Sequence, residues 1–328
     1  MLRPSRPPAV AWLALLAVLV GLVGAGCLGP VPSDGGTPSG TPGGSGAPPP
    51  PPPSFRELWD SPAASELPGC LVIYFLDTGQ SDAVYIRTPG GRVVLVDTGD
   101  RDSADELVRF LVEQKGVRRV DLLVLTHPHA DHVGGAVAVL TSLEVVCLAE
   151  PGFPHPTPLY EEVLTRALAL KEAGRLRYVT ARAGDRLEPD ETVELLVLHP
   201  GPELGDDAND ASVVLRLRFG SFAALFAGDA GKAAEAAILA RGLPVGAAVL
   251  KVGHHGSSGS SGAAFLAAVR PEVAVILVGR GNPYGHPSQA TLDRLRAAGA
   301  RVLRTDLDGP AIVWSDGERW DVLTSGGP

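Results

Sequence analysis

Thr126-His127-Pro128-His129-Ala130-Asp131-His132-Val133-Gly134-Gly135 is the stretch on which the reading turns. It follows Leu122–Leu125, apolar throughout, as a strand buried on both faces is. Alternate side chains of an extended segment leaving that strand point the same way, so His127, His129 and Asp131 converge. His132 opens the next helix and turns onto the same point, while Gly134 and Gly135 let that backbone approach closely. Three imidazoles and a carboxylate so close together have little structural use after a core strand. The pattern is that of a metal site. One tetrahedral ion cannot take all four and keep an open position; the spacing suits two ions, His127 and His129 on one, Asp131 and His132 on the other.

Six of the eight histidines lie in three short clusters, each after an apolar strand. The second is Gly253-His254-His255-Gly256-Ser257. In an extended loop the two rings point opposite ways, so one is expected to reach a metal and the other to serve proton transfer or phosphate contact. The third is Asn282-Pro283-Tyr284-Gly285-His286-Pro287-Ser288, with His286 as a ligand beside a helix N-terminus. Ala227-Gly228-Asp229 ends another strand, and Asp229 is placed to bridge two ions. Asp97, closing Leu95-Val96, is expected to orient a ligand histidine from behind. His155, in a proline-rich loop, and His199, before Pro200, read as structural or solvent-exposed.

Around these motifs the pattern is α/β. Leu71–Leu76, Ala83–Arg87 and Val93–Val96 read as an antiparallel meander. A helix follows, opened by a Ser103/Glu106 capping box and closed by Gly116. Val133–Leu140 and Leu159–Lys171 read as helices, with a strand at Val145–Leu148 between them. Further strands are expected at Val193–Leu198, Val213–Phe219, Phe222–Phe226, Ala248–Lys251 and Val273–Val278, and helices starting near Gly231, Gly262 and Ser288. Strands interleaved with helices favour sheets covered by helices.

The N-terminus is a different material. Arg3 and Arg6 precede the apolar run Ala9–Ala25, which ends Gly24-Ala25-Gly26-Cys27. This reads as a secretory signal over residues 1–27 with Cys27 as a lipidation site, or alternatively as an uncleaved membrane helix. Residues 28–54 hold ten Pro and seven Gly with Asp34 their one charge, a composition that cannot bury a core and reads as a disordered tether. That leaves residues 55–328 as the folded domain, expected outside the cytoplasmic membrane. A net charge of −9 argues against a protein that coats nucleic acid through basic surface, though bound cations would invert the field locally. Three cysteines, Cys27, Cys70 and Cys147, are too few for a disulfide scaffold; Cys70 and Cys147 either pair or remain free.

These residues resemble the metallo-β-lactamase superfamily: the strand-ending Asp97, the HxHxDH run, then Gly228-Asp229. Within it, the chain is similar to the hydrolase domain of the ComEC competence proteins over about residues 70–316. The similarity runs through Leu76–Ala83, Asn209–Val214, Leu250–Ser257, Asn282–Pro287 and Arg304-Thr305-Asp306. It leaves out the many membrane-spanning helices of full-length members. The resemblance implies a four-layer αββα sandwich and two divalent ions, zinc or manganese, bridged by Asp229. The usual third-motif histidine is replaced by Asn209-Asp210, so His254 (or His255) is expected to complete the first site and His286 the second. Asp131, His254 and His255 are the implied catalytic residues. Asp77, Ser257, Ser260, Asn282 and Tyr284 are candidate supporting or substrate-contacting residues, with Gly253, Gly256 and the Ser257 and Ser260 hydroxyls on phosphate oxygens. Hydrolysis of a phosphodiester is implied, DNA first, with no protein partner. The competing readings are an esterase for envelope or choline-type phosphodiesters, and a DNA-binding assembly component without turnover.

Overall fold

Alternation within β1, Leu71–Phe75, sets the layering. Leu71, Ile73 and Phe75 enter one buried cluster while Val72 and Tyr74 enter another on the opposite face, as the two-residue strand period requires. The computed structural model describes residues 53–62 and 67–325. The expected signal, Cys27 and nearly all of the expected tether lie outside the described residues.

β1 pairs with β2 (Val84–Arg87), which pairs with β3 (Val93–Val96), in the expected antiparallel meander. β5 (Leu122–Val124), β7 (Cys147–Glu150) and β8 (Arg177–Thr180) then continue the sheet in parallel. On the other side, β16 (Ala311–Ser315) and β17 (Trp320–Thr324) complete eight strands. The short β4 (Arg119–Val120) and β6 (Glu144–Val145) pair with each other. The facing sheet has seven strands: β9 (Arg186–Leu187), β10 (Glu194–His199), β11 (Val214–Phe219), β12 (Phe222–Phe226), β13 (Val249–Lys251), β14 (Val273–Ile276) and β15 (Arg301–Arg304). The last four run parallel.

Between the sheets, Leu71, Ile73 and Phe75 meet Leu195, Leu215, Phe222 and Phe226 in one core. Phe75 and Phe226 stack across it at 6.2 Å. The outer face of the first sheet is covered by α2 (Ala104–Arg109), α3 (Ala130–Val133), α4 (Ala136–Ser142) and α5 (Pro158–Glu172). The seven-stranded sheet is covered by α6 (Lys232–Arg241), α7 (Ala263–Val269) and α8 (Gln289–Ala297). The result is the αββα sandwich. A further helix, α1 (Phe55–Asp60), packs on the first sheet's outer cluster, and α9 (Thr305–Asp308) follows β15.

Several expectations need correction. Ser103 does not form the capping box; its hydroxyl donates to the Asp100 carbonyl instead, and α2 runs on into a π-turn at Phe110–Gln114. The expected helix Val133–Leu140 is two pieces broken at Gly134-Gly135. There the backbone presses so closely on its neighbours that a Cβ would meet the Asp100–Arg101 backbone or the Thr98 carbonyl at 2.4 Å. The strand expected at Val145–Leu148 is split between β6 and β7, because the chain leaves the small pair to join the large sheet. Cys70 and Cys147 are both free thiols.

Candidate metal centre

The carboxyl ends of parallel strands β3, β5, β12, β13 and β14 open on one edge of the sandwich, where open α/β sheets place their sites. Asp97 follows β3 with a left-handed backbone (φ 59°). That bend turns its buried carboxylate onto the β5 exit. Oδ1 accepts from the Thr126 backbone N–H and Oδ2 from the Thr126 hydroxyl, both at 2.7 Å. His132 Nδ1 donates to Oδ2 at 2.8 Å. With Nδ1 so occupied, Nε2 of His132 is the nitrogen left facing Asp229 Oδ1, 3.3 Å away. The orienting contact expected of Asp97 is therefore present on this side chain.

Asp131, His132, Asp229 and His255 each offer one ligand atom within 4.8 Å of all the others. His255 Nε2 lies 3.2 Å from Asp131 Oδ2 and 3.8 Å from Asp229 Oδ2, while its Nδ1 donates to the Leu277 carbonyl at 2.9 Å. This is the arrangement of metal-ligating histidines, one nitrogen fixed from behind and the other turned inward. His127 Nε2 faces His129 Nδ1 at 3.0 Å and stands 3.9 Å from Asp229 Oδ2. His254 Nε2 lies 3.8 Å from the same Asp229 oxygen. Asp229 thus stands between the two halves.

The donor set fits divalent cations. His132 Nε2 and Asp229 Oδ1 are buried without a hydrogen-bond partner, a costly state for two polar atoms. A cation between them removes that cost, and mixed imidazole and carboxylate donors suit several divalent ions. Without a metal, the acids and imidazoles of the group set one another's charge. Burial alone would raise the Asp229 carboxyl, but His132 and His255 hold it well below the usual carboxylate range. Burial would lower the His132 imidazole, and Asp229, Asp97 and Asp82 carry it well above its usual value.

The pair His254-His255 corrects the extended-loop reading. Both residues sit in a tight turn with φ of 50° and 49°; both rings then reach the Asp229 side rather than pointing apart. His255 joins the Asp131–His132–Asp229 group, the place the resemblance assigned to His286. His286 stands outside, its ring 5.6 Å from that of His254 and its Nδ1 buried without a partner. Asn209 Oδ1 is likewise buried without a partner, whereas Asp210 Oδ1 accepts from Gly231 N–H at 3.0 Å.

Four further candidates have these partners. Ser260 is fully buried and donates its hydroxyl to the Gly253 carbonyl at 2.6 Å, so it is spent inside the turn and not offered to a ligand. The Ser257 hydroxyl accepts from Gly259 N–H at 3.3 Å within the same turn, and its carbonyl accepts from the Thr291 hydroxyl. Asp77 is exposed and accepts from Gly79 N–H in its own loop. Asn282 uses both ends of its amide to hold the 279–286 loop. His199 is structural as expected, with Nε2 on the Asp210 carbonyl at 2.6 Å.

Sequence reasoning missed Asp82, Lys251, Ser212 and the position of His155. Lys251, at the end of β13, is fully buried and ion-paired to Asp82. It also donates to the Gly228 carbonyl at 3.0 Å and lies 4.0 Å from Asp229 Oδ1. Burial would depress its ammonium; Asp82 and Asp229 more than offset that. The Ser212 hydroxyl accepts from Asp229 N–H at 3.1 Å. The His155 ring sits 5.4 Å from that of His129 at 70°. Only the alternation of Gly, Asp and Lys with apolar residues at strand ends hinted at the first two.

The family model of the metallo-beta-lactamase superfamily matches residues 76–280. Among proteins of known name, the chain is 34% identical over 254 residues to ComE operon protein 3 of Bacillus subtilis, covering 71% of this chain and 32% of that protein. It is 35% identical over 234 residues to competence protein ComA of Neisseria gonorrhoeae, covering 71% and 30%. It is 29% identical over 242 residues to recombination protein 2 of Haemophilus influenzae, covering 73% and 28%. The match thus spans about a third of the length of these relatives. A family match across most of the described domain, on an αββα frame with its histidines and acids gathered at one edge, means that the chain belongs to the metallo-β-lactamase superfamily.

Proposed function

We propose that this protein is a metal-dependent phosphodiesterase that cleaves DNA outside the cytoplasmic membrane. The observation that carries the reading is the Asp131–His132–Asp229–His255 group, whose ligand atoms lie within 4.8 Å of one another with two of them buried and unpartnered. Similarity to proteins named for competence and recombination supports DNA over other diesters. His127, His129 and Asp229 would hold one ion, with His254 beside them, and Asp131, His132, Asp229 and His255 the other. Divalent cations, when bound, supply Lewis acidity at a phosphoryl oxygen and an activated water.

The rest falls to side chains. His254, half-buried at the rim, is the residue placed to give a proton to the leaving oxygen. Asp97 and the Leu277 carbonyl hold His132 and His255 in the orientation a ligand needs. Membrane attachment through Cys27 or an N-terminal helix follows from the Arg-flanked apolar run of residues 1–27.

The test is a substrate panel of DNA, choline phosphodiesters and nitrocefin with zinc or manganese supplied. DNA cleavage lost in Asp131→Ala and Asp229→Ala is the expected result. Unchanged cleavage in both would refute the metal assignment, and DNA binding without product in the parent would favour the assembly role. Mass spectrometry of the mature N-terminus reads the lipid on Cys27.

A further inference from the structure

Three rings of this edge stack pairwise. His255 and His286 stack with centroids 6.5 Å apart and planes 22° apart, and His286 and Tyr284 stack at 5.9 Å and 27°. The two contacts lead from the buried ligand group to water: His255 is 2% exposed and Tyr284 68%. The loop that presents Tyr284 is tied from inside. Asn282 Oδ1 accepts from the backbone N–H groups of Tyr284 and His286, and its Nδ2 donates to the carbonyls of Gly279 and His286. Gly285, with φ of 68°, turns the chain between the two rings. A large ring held in water by a braced loop, two ring contacts away from the ligand cluster, offers a free face to another flat ring.

We infer that Tyr284 is the stacking platform for the nucleobase next to the scissile phosphodiester, an inference that rests on the phosphodiesterase reading. Every base has a π-face, so such a platform accepts any sequence. A base on the platform has left its own stack, and a duplex resists that at a cost a single strand does not meet. The site therefore favours single-stranded or frayed DNA over intact duplex. The phenol hydroxyl has no part in stacking, so phenylalanine serves equally.

The experiment uses the full chain carrying Asp131→Ala, so that DNA is bound without turnover, and single-stranded oligonucleotides bearing 2-aminopurine or an abasic residue. Circular dichroism confirms that each variant is folded. The parent quenches 2-aminopurine on binding. Tyr284→Ala abolishes the quench and weakens binding about tenfold, within the range of a lost base–aromatic stack. Tyr284→Phe retains both, and abasic DNA binds the tyrosine and alanine proteins alike. Quench and affinity unchanged by Tyr284→Ala, or no binding of single strands by the parent, overturns the inference. Quench without cleavage of any diester by the chain with native Asp131 leaves the platform standing and overturns the phosphodiesterase reading instead.

Discussion

Asp97 Oδ2 lies 2.8 Å from Nδ1 of His132, and the same carboxylate takes both the N–H and the hydroxyl of Thr126. One buried acid thus fixes the exit of β5 and the face that His132 turns inward. In Asp97→Asn the amide must turn N–H groups toward one of these donors, and the imidazole loses its strongest acceptor. Metal affinity is expected to fall by about 10–100-fold, read by competition with a chromophoric chelator. An unchanged affinity would remove the orienting role from Asp97.

Lys251 is a second such device, acting through charge. Its ammonium sits among Asp82, Asp229 and the Gly228 carbonyl, fully buried. Lys251→Met leaves those carboxylates without their cation, a loss of about 3–5 kcal/mol in the metal-free protein. Adding Asp82→Asn is expected to restore part of that loss in urea unfolding. Divalent metal should raise Tm more in Lys251→Met than in the parent, since the ion supplies the missing charge. Additive single variants would show that the pair is not coupled.

The His127–His132 run was legible because nothing but a ligand cluster explains three imidazoles and an acid after Leu122–Leu125. The meander of β1 to β3 was legible because each strand is local and bounded by turn residues. Other features depend on partners distant in sequence. Ala311–Ser315 is an apolar run like several others, and only β1 makes it the neighbour of Leu71–Phe75. Lys251 in a strand reads as a surface charge until Asp82 is seen beside it. His254 and His255 were misread because neither residue type reveals a left-handed backbone, which here lies between two closely packed glycines, Gly253 and Gly256.

Glu150 gives a dependence on pH that has a definite sign. Its buried carboxylate accepts from the Tyr160 and Tyr178 hydroxyls and from Gly152 N–H. Burial nonetheless outweighs these bonds and raises its pKa above the ordinary 4.5. The folded state then binds the proton more tightly than the unfolded state. Its contribution is complete below pH 4.5 and declines as pH climbs through the folded-state value. Urea unfolding of the metal-free protein should show the parent losing ground to Glu150→Gln as pH rises through that window. A pH-independent difference between the two would contradict the raised value.

Lys115 ties the first described helix to the domain. Its buried Nζ has the carbonyls of Leu58, Trp59 and Ser61 and the Tyr74 hydroxyl within hydrogen-bond distance, one acceptor more than its three N–H groups, and lies 4.2 Å from the centre of the Tyr74 ring. The carbonyls at the end of α1 lack partners within so short a helix, and a cation there also meets the negative end of the helix dipole. Ser54 and Glu57 close the other end with a reciprocal capping box. Lys115→Met preserves much of the stem's volume but removes charge-assisted bonds worth about 1.5–3 kcal/mol each, net of exchange with water. The helix should undock, and trypsin should cut after the exposed Arg56 faster than in the parent. Because α1 packs on the outer face of the first sheet, and the ligand group opens at the strand ends, metal affinity should be unchanged. A variant that loses metal but resists trypsin would show that Lys115 supports the site rather than the helix.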